Sequence, residues 1–177
     1  MSLLDLFRRK DPTEDWPDCQ PAALLFDIGR GELNGIPLGA PMSALRALGR
    51  PGNPRPQRIF QWDFAPLGLE VWPDKHGRIN LFTCYFQAYL GDTELGRYPD
   101  FQPSRLSFRF ADGTLWEMTA DTPRARIEAF LGPLTQKAEG SDEYGPHEAT
   151  CGRARIGFEF DENGRWTLVD IEPAAEP

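Results

Sequence analysis

Residues 20–51 slide onto 102–133 without a gap and bring nine identities into register: Gln20/Gln102, Pro21/Pro103, Leu24/Leu106, Phe26/Phe108, Gly31/Gly113, Leu33/Leu115, Pro41/Pro123, Ala47/Ala129 and Pro51/Pro133. Ile36/Met118, Leu45/Ile127 and Leu48/Phe130 add similar pairs on the same register. After an insertion of five residues the match resumes with Asp74/Asp161, Gly77/Gly164, Arg78/Arg165 and Leu81/Leu168. Such self-similarity marks a duplicated supersecondary unit. One copy of roughly 75 residues has a thin core by itself, so the two copies are expected to share one.

Periodicity and turn residues give the unit its elements. Leu24–Ile28 and Glu32–Ile36 flank the Gly29-Arg30-Gly31 turn, and Leu106–Phe110 and Thr114–Met118 flank Asp112-Gly113. Each hairpin leads to a short helix. Pro41 opens the first, with Met42, Leu45 and Leu48 as its apolar stripe and Gly49 at its end. In the second, Thr122 is placed to cap, Pro123 to start, Ile127, Phe130 and Leu131 to pack, and Gly132-Pro133 to stop it. Both helices read as about three turns, too short to persist alone in water. Strands follow at 58–64, 68–72 and 78–86 in the first copy and at 155–160 and 165–171 in the second, where Asn163-Gly164 is a hairpin signal. The chain thus divides into an N-terminal arm (1–21), a first repeat (22–86), a connector (87–103), a second repeat (104–171) and a loose tail (172–177). The expected fold class is α+β. It is a tandem duplication of a ββ-α-ββ(β) unit with helices packed on antiparallel sheet and pseudo-twofold symmetry.

Charge and cysteine usage narrow the function. Nineteen Lys and Arg against 27 Asp and Glu give a net charge of −8, which disfavours nucleic-acid phosphates and suits a basic protein partner. Cys19, Cys84 and Cys151 are odd in number and widely spaced, so neither a disulfide framework nor a zinc site is expected, and a reducing, cytoplasmic setting fits. No apolar stretch approaches the ~20 residues of a membrane span. Asp5 and the late charges of Met1–Lys10 make that segment a poor signal peptide; Leu3, Leu4 and Phe7 suit one face of a short helix docked on the body.

Chemistry-bearing patterns are few. His76 sits in a turn whose counterpart is Asn163, the substitution a positive-φ position tolerates. His147 and Cys151 are four apart, with Glu143 and Glu148 as the near acids, but Gly145-Pro146 and Gly152 make the segment loop and strand, not a helix face. Asp74 and Asp161 each begin a hairpin turn and are expected to accept backbone N–H groups there. Gly29-Arg30-Gly31 lacks phosphate-loop spacing. No catalytic residues, metal ligands or cofactor are expected.

Segments that break the repeat are the better candidates, because a scaffold requirement would appear twice. Segment 134–149 is five residues longer than its counterpart and gathers Glu139, Asp142, Glu143 and Glu148 around Tyr144. The connector gathers Asp92, Glu94 and Asp100 around Tyr89, Tyr98 and Phe101. Acids steer a basic partner and aromatic rings anchor it. With Leu115 inward, alternation sends Trp116 and Met118 to the opposite face, which makes Trp116 a further anchor.

Phe60-Gln61-Trp62-Asp63-Phe64-Ala65-Pro66-Leu67-Gly68-Leu69-Glu70-Val71-Trp72, closing with Gly77-Arg78-Ile79, resembles a pattern of uncharacterised small bacterial proteins. In those an aromatic-x-Trp-Asp strand leads to Leu-Gly-Leu after a Leu-Gly-x-Pro helix end, matched here by Leu48-Gly49-Arg50-Pro51. In the second copy Ala149-Thr150 stands where the first has Trp62-Asp63. The layout is also similar, at fold level, to tandem-repeat inhibitors such as β-lactamase inhibitory protein. These resemblances imply a binding module, with toxin neutralisation as one role, and bring no catalytic residues.

The sequence therefore points to a non-enzymatic protein-binding module, most concretely a bacterial immunity or inhibitor protein neutralising a basic partner. Two alternatives stand beside it. One is a small-ligand binder or hydrolase with a cleft between the repeats at His147, Cys151 and nearby acids. The other is a structural component of a larger assembly.

Overall fold

Where apolar and polar residues alternate, the backbone is strand and the apolar set is buried. The structure is a computed structural model that describes residues 11–53, 61–87, 98–136 and 147–174. Strand β1 (Leu24–Asp27) buries Leu24 and Phe26, and β7 (Leu106–Arg109) buries Leu106 and Phe108. The two run side by side with Leu24 opposite Leu106 and Phe26 opposite Phe108. Their phenyl rings meet edge-on at 6.3 Å. With β2 (Glu32–Leu33), β3 (Ile36–Pro37) and β8 (Leu115–Met118) they form a five-stranded sheet in the order β3-β2-β1-β7-β8.

A seven-stranded sheet takes the rest. It contains β4 (Trp62–Phe64), β5 (Leu69–Pro73), β6 (Ile79–Tyr85), β9 (Thr135–Gln136), β10 (His147–Cys151), β11 (Ala154–Phe160) and β12 (Trp166–Pro173). Their order is β4-β5-β6-β12-β11-β10-β9. β6 and β12 join antiparallel, with Phe82 opposite Ile171, Thr83 opposite Asp170 and Cys84 opposite Val169. Each sheet thus draws strands from both halves of the chain. One core holds the inner face of both, including Phe64, Val71, Phe82, Ile156, Phe158 and Val169 from the larger sheet. Ile127 and Leu131 of the only described α-helix, α1 (Arg124–Leu131), enter the same core, as does Leu45 of a 3-10 helix at Met42–Leu48. Among the described residues no helix is long and apolar enough to cross a membrane.

The architecture is mostly sheet with a few helical turns, an α+β arrangement, and it departs from expectation in five places. First, β1 and β7 pair in parallel, so the smaller sheet is mixed, not antiparallel. Second, Met42–Leu48 is 3-10, not α. Its start is tied by a bridge between Pro41 and Arg78, and its end is fixed because a Cβ on Gly49 would lie 2.6 Å from the Cys19 Cα. A 3-10 helix rises about 2.0 Å per residue against about 1.5 Å for an α-helix, so it spans fixed ends with fewer residues. Third, Thr122 does not cap α1: its hydroxyl accepts the Thr119 N–H at 2.9 Å, and Pro123 is the residue before the first turn. Fourth, Glu172 and Pro173 are paired residues of β12 and not a loose tail.

The fifth departure is the phase of β8. Leu115 is 61% exposed, while Trp116 and Met118 are buried. In the first hairpin Phe26 lies opposite Leu33, whereas in the second Phe108 lies opposite Trp116. The second turn holds one residue more, and a slip of one residue exchanges the two faces of a strand. Trp116 stacks between Phe108 (5.6 Å) and Phe130 (4.8 Å) and is therefore core, not a surface anchor. The Met1–Lys10 helix and residues 58–60 of the expected strand lie outside the described residues.

Replacing Trp116 with alanine is expected to cost about 3–5 kcal/mol in urea unfolding, the range for deleting a buried aromatic. Leu115→Ala should stay within about 0.5 kcal/mol, as at an ordinary surface position. The reverse ranking would restore the phase expected from the sequence repeat.

Candidate functional site

Alternation in the larger sheet sends one residue set to the core and the other to the opposite, outer face. Across that outer face, residues directly opposite on successive strands are Asp63, Glu70, Thr83, Asp170, Gly157 and Glu148. The sheet thus carries a row of four carboxylates. It differs at its two ends.

At the β4–β5 end the row is covered. Gly68 turns the chain between these strands at φ +59°, and a Cβ there would lie 2.5 Å from the Gln102 carbonyl oxygen and 2.6 Å from the Ser104 nitrogen. This close approach lets the connector cross the sheet. Gln102 N–H donates to the Ala65 carbonyl at 2.9 Å and Ser104 N–H to that of Tyr85 at 2.6 Å. Ala65 and Tyr85 are buried beneath Tyr98, Phe101 and Leu168. Asp63 and Glu70 are 0% and 1% exposed. The Tyr98 hydroxyl donates to Asp63 Oδ2 at 3.0 Å, and the Tyr85 hydroxyl to Glu70 Oε2 at 3.0 Å. Acid–base catalysis needs contact with substrate, and this depth denies it to the pair. Its visible role is to hold the connector.

Beside Tyr98 lies a cleft of about 250 Å³ lined by Asp18, Cys19, Arg50, Gly52, Tyr98 and Asp100, among others. Four stretches of the chain meet there, around residues 18–19, 50–52, 65–66 and 98–100. The N-terminal arm is fastened by Trp16 against Trp62 at 5.5 Å, by Arg46 to Asp15 and by Arg50 to Asp11, each ion pair at 2.8 Å. Gly52 leaves room for the tyrosine, since a Cβ would lie 2.6 Å from Tyr98 Cε1. Burial, with the Asp100 carboxylate adding, pushes the Cys19 thiol up to about 11. Burial, with Asp170 adding, pushes Cys84 up to about 12, and burial raises Cys151. All three cysteines are free. Thiolate is the nucleophilic form, so none of them is poised for covalent catalysis at neutral pH.

At the β10–β12 end the row stays in contact with solvent. Glu148, Glu159, Asp170 and Glu172 occupy outer positions and are each partly buried. Arg155 bridges Glu148 at 3.4 Å and Glu172 at 2.7 Å, and the Thr83 hydroxyl donates to Asp170 at 2.6 Å.

His147 and Cys151 do not form a site. Four residues along a strand separate them by roughly 13 Å. His147 is buried, with Nε2 2.9 Å from Arg124 Nη1 and its ring on Phe160, while the Cys151 thiol donates to the Leu131 carbonyl at 3.4 Å. A guanidinium only donates, so Nε2 is the acceptor and faces the protein. His76 lies in the β5–β6 turn. There Asp74 Oδ1 accepts the N–H groups of His76 and Arg78, as Asp161 Oδ1 accepts those of Asn163 and Arg165. The Arg78 N–H does most to hold the Asp74 carboxyl below its ordinary value, and the Arg165 N–H does the same for Asp161. Among the described residues no three His, Cys, Asp or Glu side chains are placed to hold a metal ion.

Of the residues predicted from sequence, Tyr98 and Asp100 line the cleft, Glu148 is on the acidic face and Trp116 is in the core. Asp92, Glu94, Glu139, Asp142, Glu143 and Tyr144 lie outside the described residues. Sequence reasoning missed Asp18, Arg50, Asp63, Glu70, Asp170 and Glu172. For the acids on the sheet the signal was present, since each sits at a polar position of an alternating strand. No family model, no curated protein and no solved structure matches the chain.

Three measurements check this geometry. Iodoacetamide at pH 8 should label Cys19 roughly 10–100-fold more slowly in the folded than in the unfolded chain. Asp100→Asn should speed the folded reaction, read from the Cys19 peptide by mass spectrometry. Because Cys19 and Cys84 keep their protons longer when folded, their contribution to stability is intact below about pH 9 and is lost as pH climbs through about 11 and 12. Separately, Gly68→Ala should cost roughly 2–6 kcal/mol, the sum of left-handed backbone strain and overpacking against the connector.

Proposed function

We propose that this chain is a duplicated, non-enzymatic binding module that recognises a protein with a basic face, most concretely an immunity or inhibitor protein acting in the cytoplasm. The observation that carries the reading is the outer face of β10–β12. Among the described residues, its outward positions hold Glu148, Glu159, Asp170 and Glu172, with Arg155 as the one basic residue of these strands' outer face. Such a surface repels nucleic-acid phosphates and steers a cationic partner.

Strand registers support the duplication. Leu69 lies opposite Cys84 and Val71 opposite Phe82, as Ile156 lies opposite Ile171 and Phe158 opposite Val169. Both pairs carry a register shift at the equivalent place, after Trp72 and after Glu159. At the β6–β12 seam Phe82 meets Ile171 and Cys84 meets Val169, the reciprocal pairing that a twofold axis through Thr83 and Asp170 produces. On this register Trp62 and Asp63 correspond to His147 and Glu148, since Trp62 faces Val71 and His147 faces Phe158. Under the duplication reading, this register favours His147 and Glu148 over Ala149 and Thr150 as the counterparts of that pair. On that reading an acid stands at the same place in both halves, Asp63 buried and Glu148 partly open.

Immobilised protein incubated with lysate of the native organism should retain one stoichiometric partner with a basic face, released as salt rises. With that partner purified, Glu148→Lys and Glu172→Lys should slow association roughly tenfold or more at low salt and much less at high salt. Failure to retain any stoichiometric protein at low salt would remove this reading.

A further inference from the structure

We propose that the cleft between the N-terminal arm and the connector receives the cationic end of a lysine or arginine side chain from that partner. This rests on the basic-partner reading and adds a specific subsite to it.

The lining matches an amphipathic cation. Asp18 and Asp100 supply two carboxylates, Tyr98 an aromatic ring, and Pro51 and Pro66 apolar walls. A lysine or arginine has an aliphatic stem for such walls and a charged head for the acids and ring. Arg50 also lines the cleft, yet its guanidinium is held by Asp11 at 2.8 Å, so among the described residues Asp18 and Asp100 set the sign of the free charge. Those acids oppose a phosphate or carboxylate ligand. A volume of about 250 Å³ lies below the usual range for whole cofactors and suits one side chain.

The cleft is also built beforehand. Its connector wall is fixed because the Tyr98 hydroxyl bonds Asp63, a residue buried in the sheet, while the tyrosine ring packs against Gly52. Gly52 N–H donates to the Asp63 carbonyl at 2.8 Å, so both neighbours of the ring hang on the same strand residue. The arm wall is fixed by the Arg50 N–H on the Pro17 carbonyl at 2.6 Å. Rigid walls reduce the ordering cost of binding. The field of Asp100 already reaches the interior, where it helps raise the Cys19 thiol.

The test is a titration of the labelled full chain, followed by amide NMR, with Nα-acetyl-lysine methylamide and Nα-acetyl-arginine methylamide. The norleucine and citrulline analogues serve as uncharged controls. Saturable shifts at Gly52, Tyr98 and Asp100, with a dissociation constant on the order of 1–10 mM, are expected from the charged probes and not from the controls. Asp18→Asn combined with Asp100→Asn should weaken binding tenfold or more, whereas Glu117→Gln, at an exposed position of the smaller sheet, should leave it unchanged. Equal binding of the uncharged analogues, shifts centred elsewhere, or no saturable shift would overturn the assignment. Partner capture intact with a silent cleft would sink this subsite alone. A responsive cleft with no partner captured would sink the protein-binding reading instead.

Discussion

Two seams carry the molecule: β1 against β7 in one sheet and β6 against β12 in the other. Leu24, Phe26, Leu106 and Phe108 are fully buried along the first, and Phe82, Cys84, Val169 and Ile171 along the second. Burying four such side chains contributes about 6–12 kcal/mol gross, as much as the whole net stability of an ordinary domain. Neither half could leave its partner without exposing that surface. The seams therefore decide that the chain has one core, and every surface feature is placed relative to that fixed frame.

The frame also explains where polar groups collect. A strand with one buried face offers its other face at every second residue, so substitutions accepted on the outer face fall in rows across the sheet. Acids took that row. Carboxylates side by side repel unless they are hydrogen-bonded or solvated. At one end tyrosine hydroxyls meet Asp63 and Glu70. At the other, Arg155, Thr83 and solvent do the same work for Glu148, Glu172 and Asp170.

Local chemistry was legible in the sequence. Asp74 and Asp161 read as turn acceptors because an aspartate bonding N–H groups two and four residues on is a short-range event. Strand β11 read cleanly because Ile156, Phe158 and Phe160 alternate with polar or small residues. The phase of β8 did not, because one added turn residue leaves the repeat alignment looking sound while it exchanges Leu115 and Trp116 between faces. The 3-10 helix was hidden as well, since the constraint on its length comes from Cys19 and Arg78, outside the segment. Thr122 looked like a cap from its place before Pro123, yet its hydroxyl turns back to Thr119. The cleft had no sequence signature, because Asp18, Arg50 and Tyr98 meet only after the arm and the connector have docked on the sheet.

Asp63 and Glu148 stand at the two ends of the row, and what each acid does follows from what covers it. Residues 98–104 lie over the β4–β5 end of the sheet and not over the other. Covered, Asp63 loses access to solvent and gains the Tyr98 hydroxyl, which converts a surface charge into an anchor for a cleft wall. Glu148, at the far end, keeps part of its surface and a guanidinium neighbour. One row of acids thus yields two kinds of surface, a built cleft and a partly open acidic face. The asymmetry needs no difference in strand topology, only the single crossing of residues 98–104 over the β4–β5 turn, admitted by the absence of a side chain on Gly68.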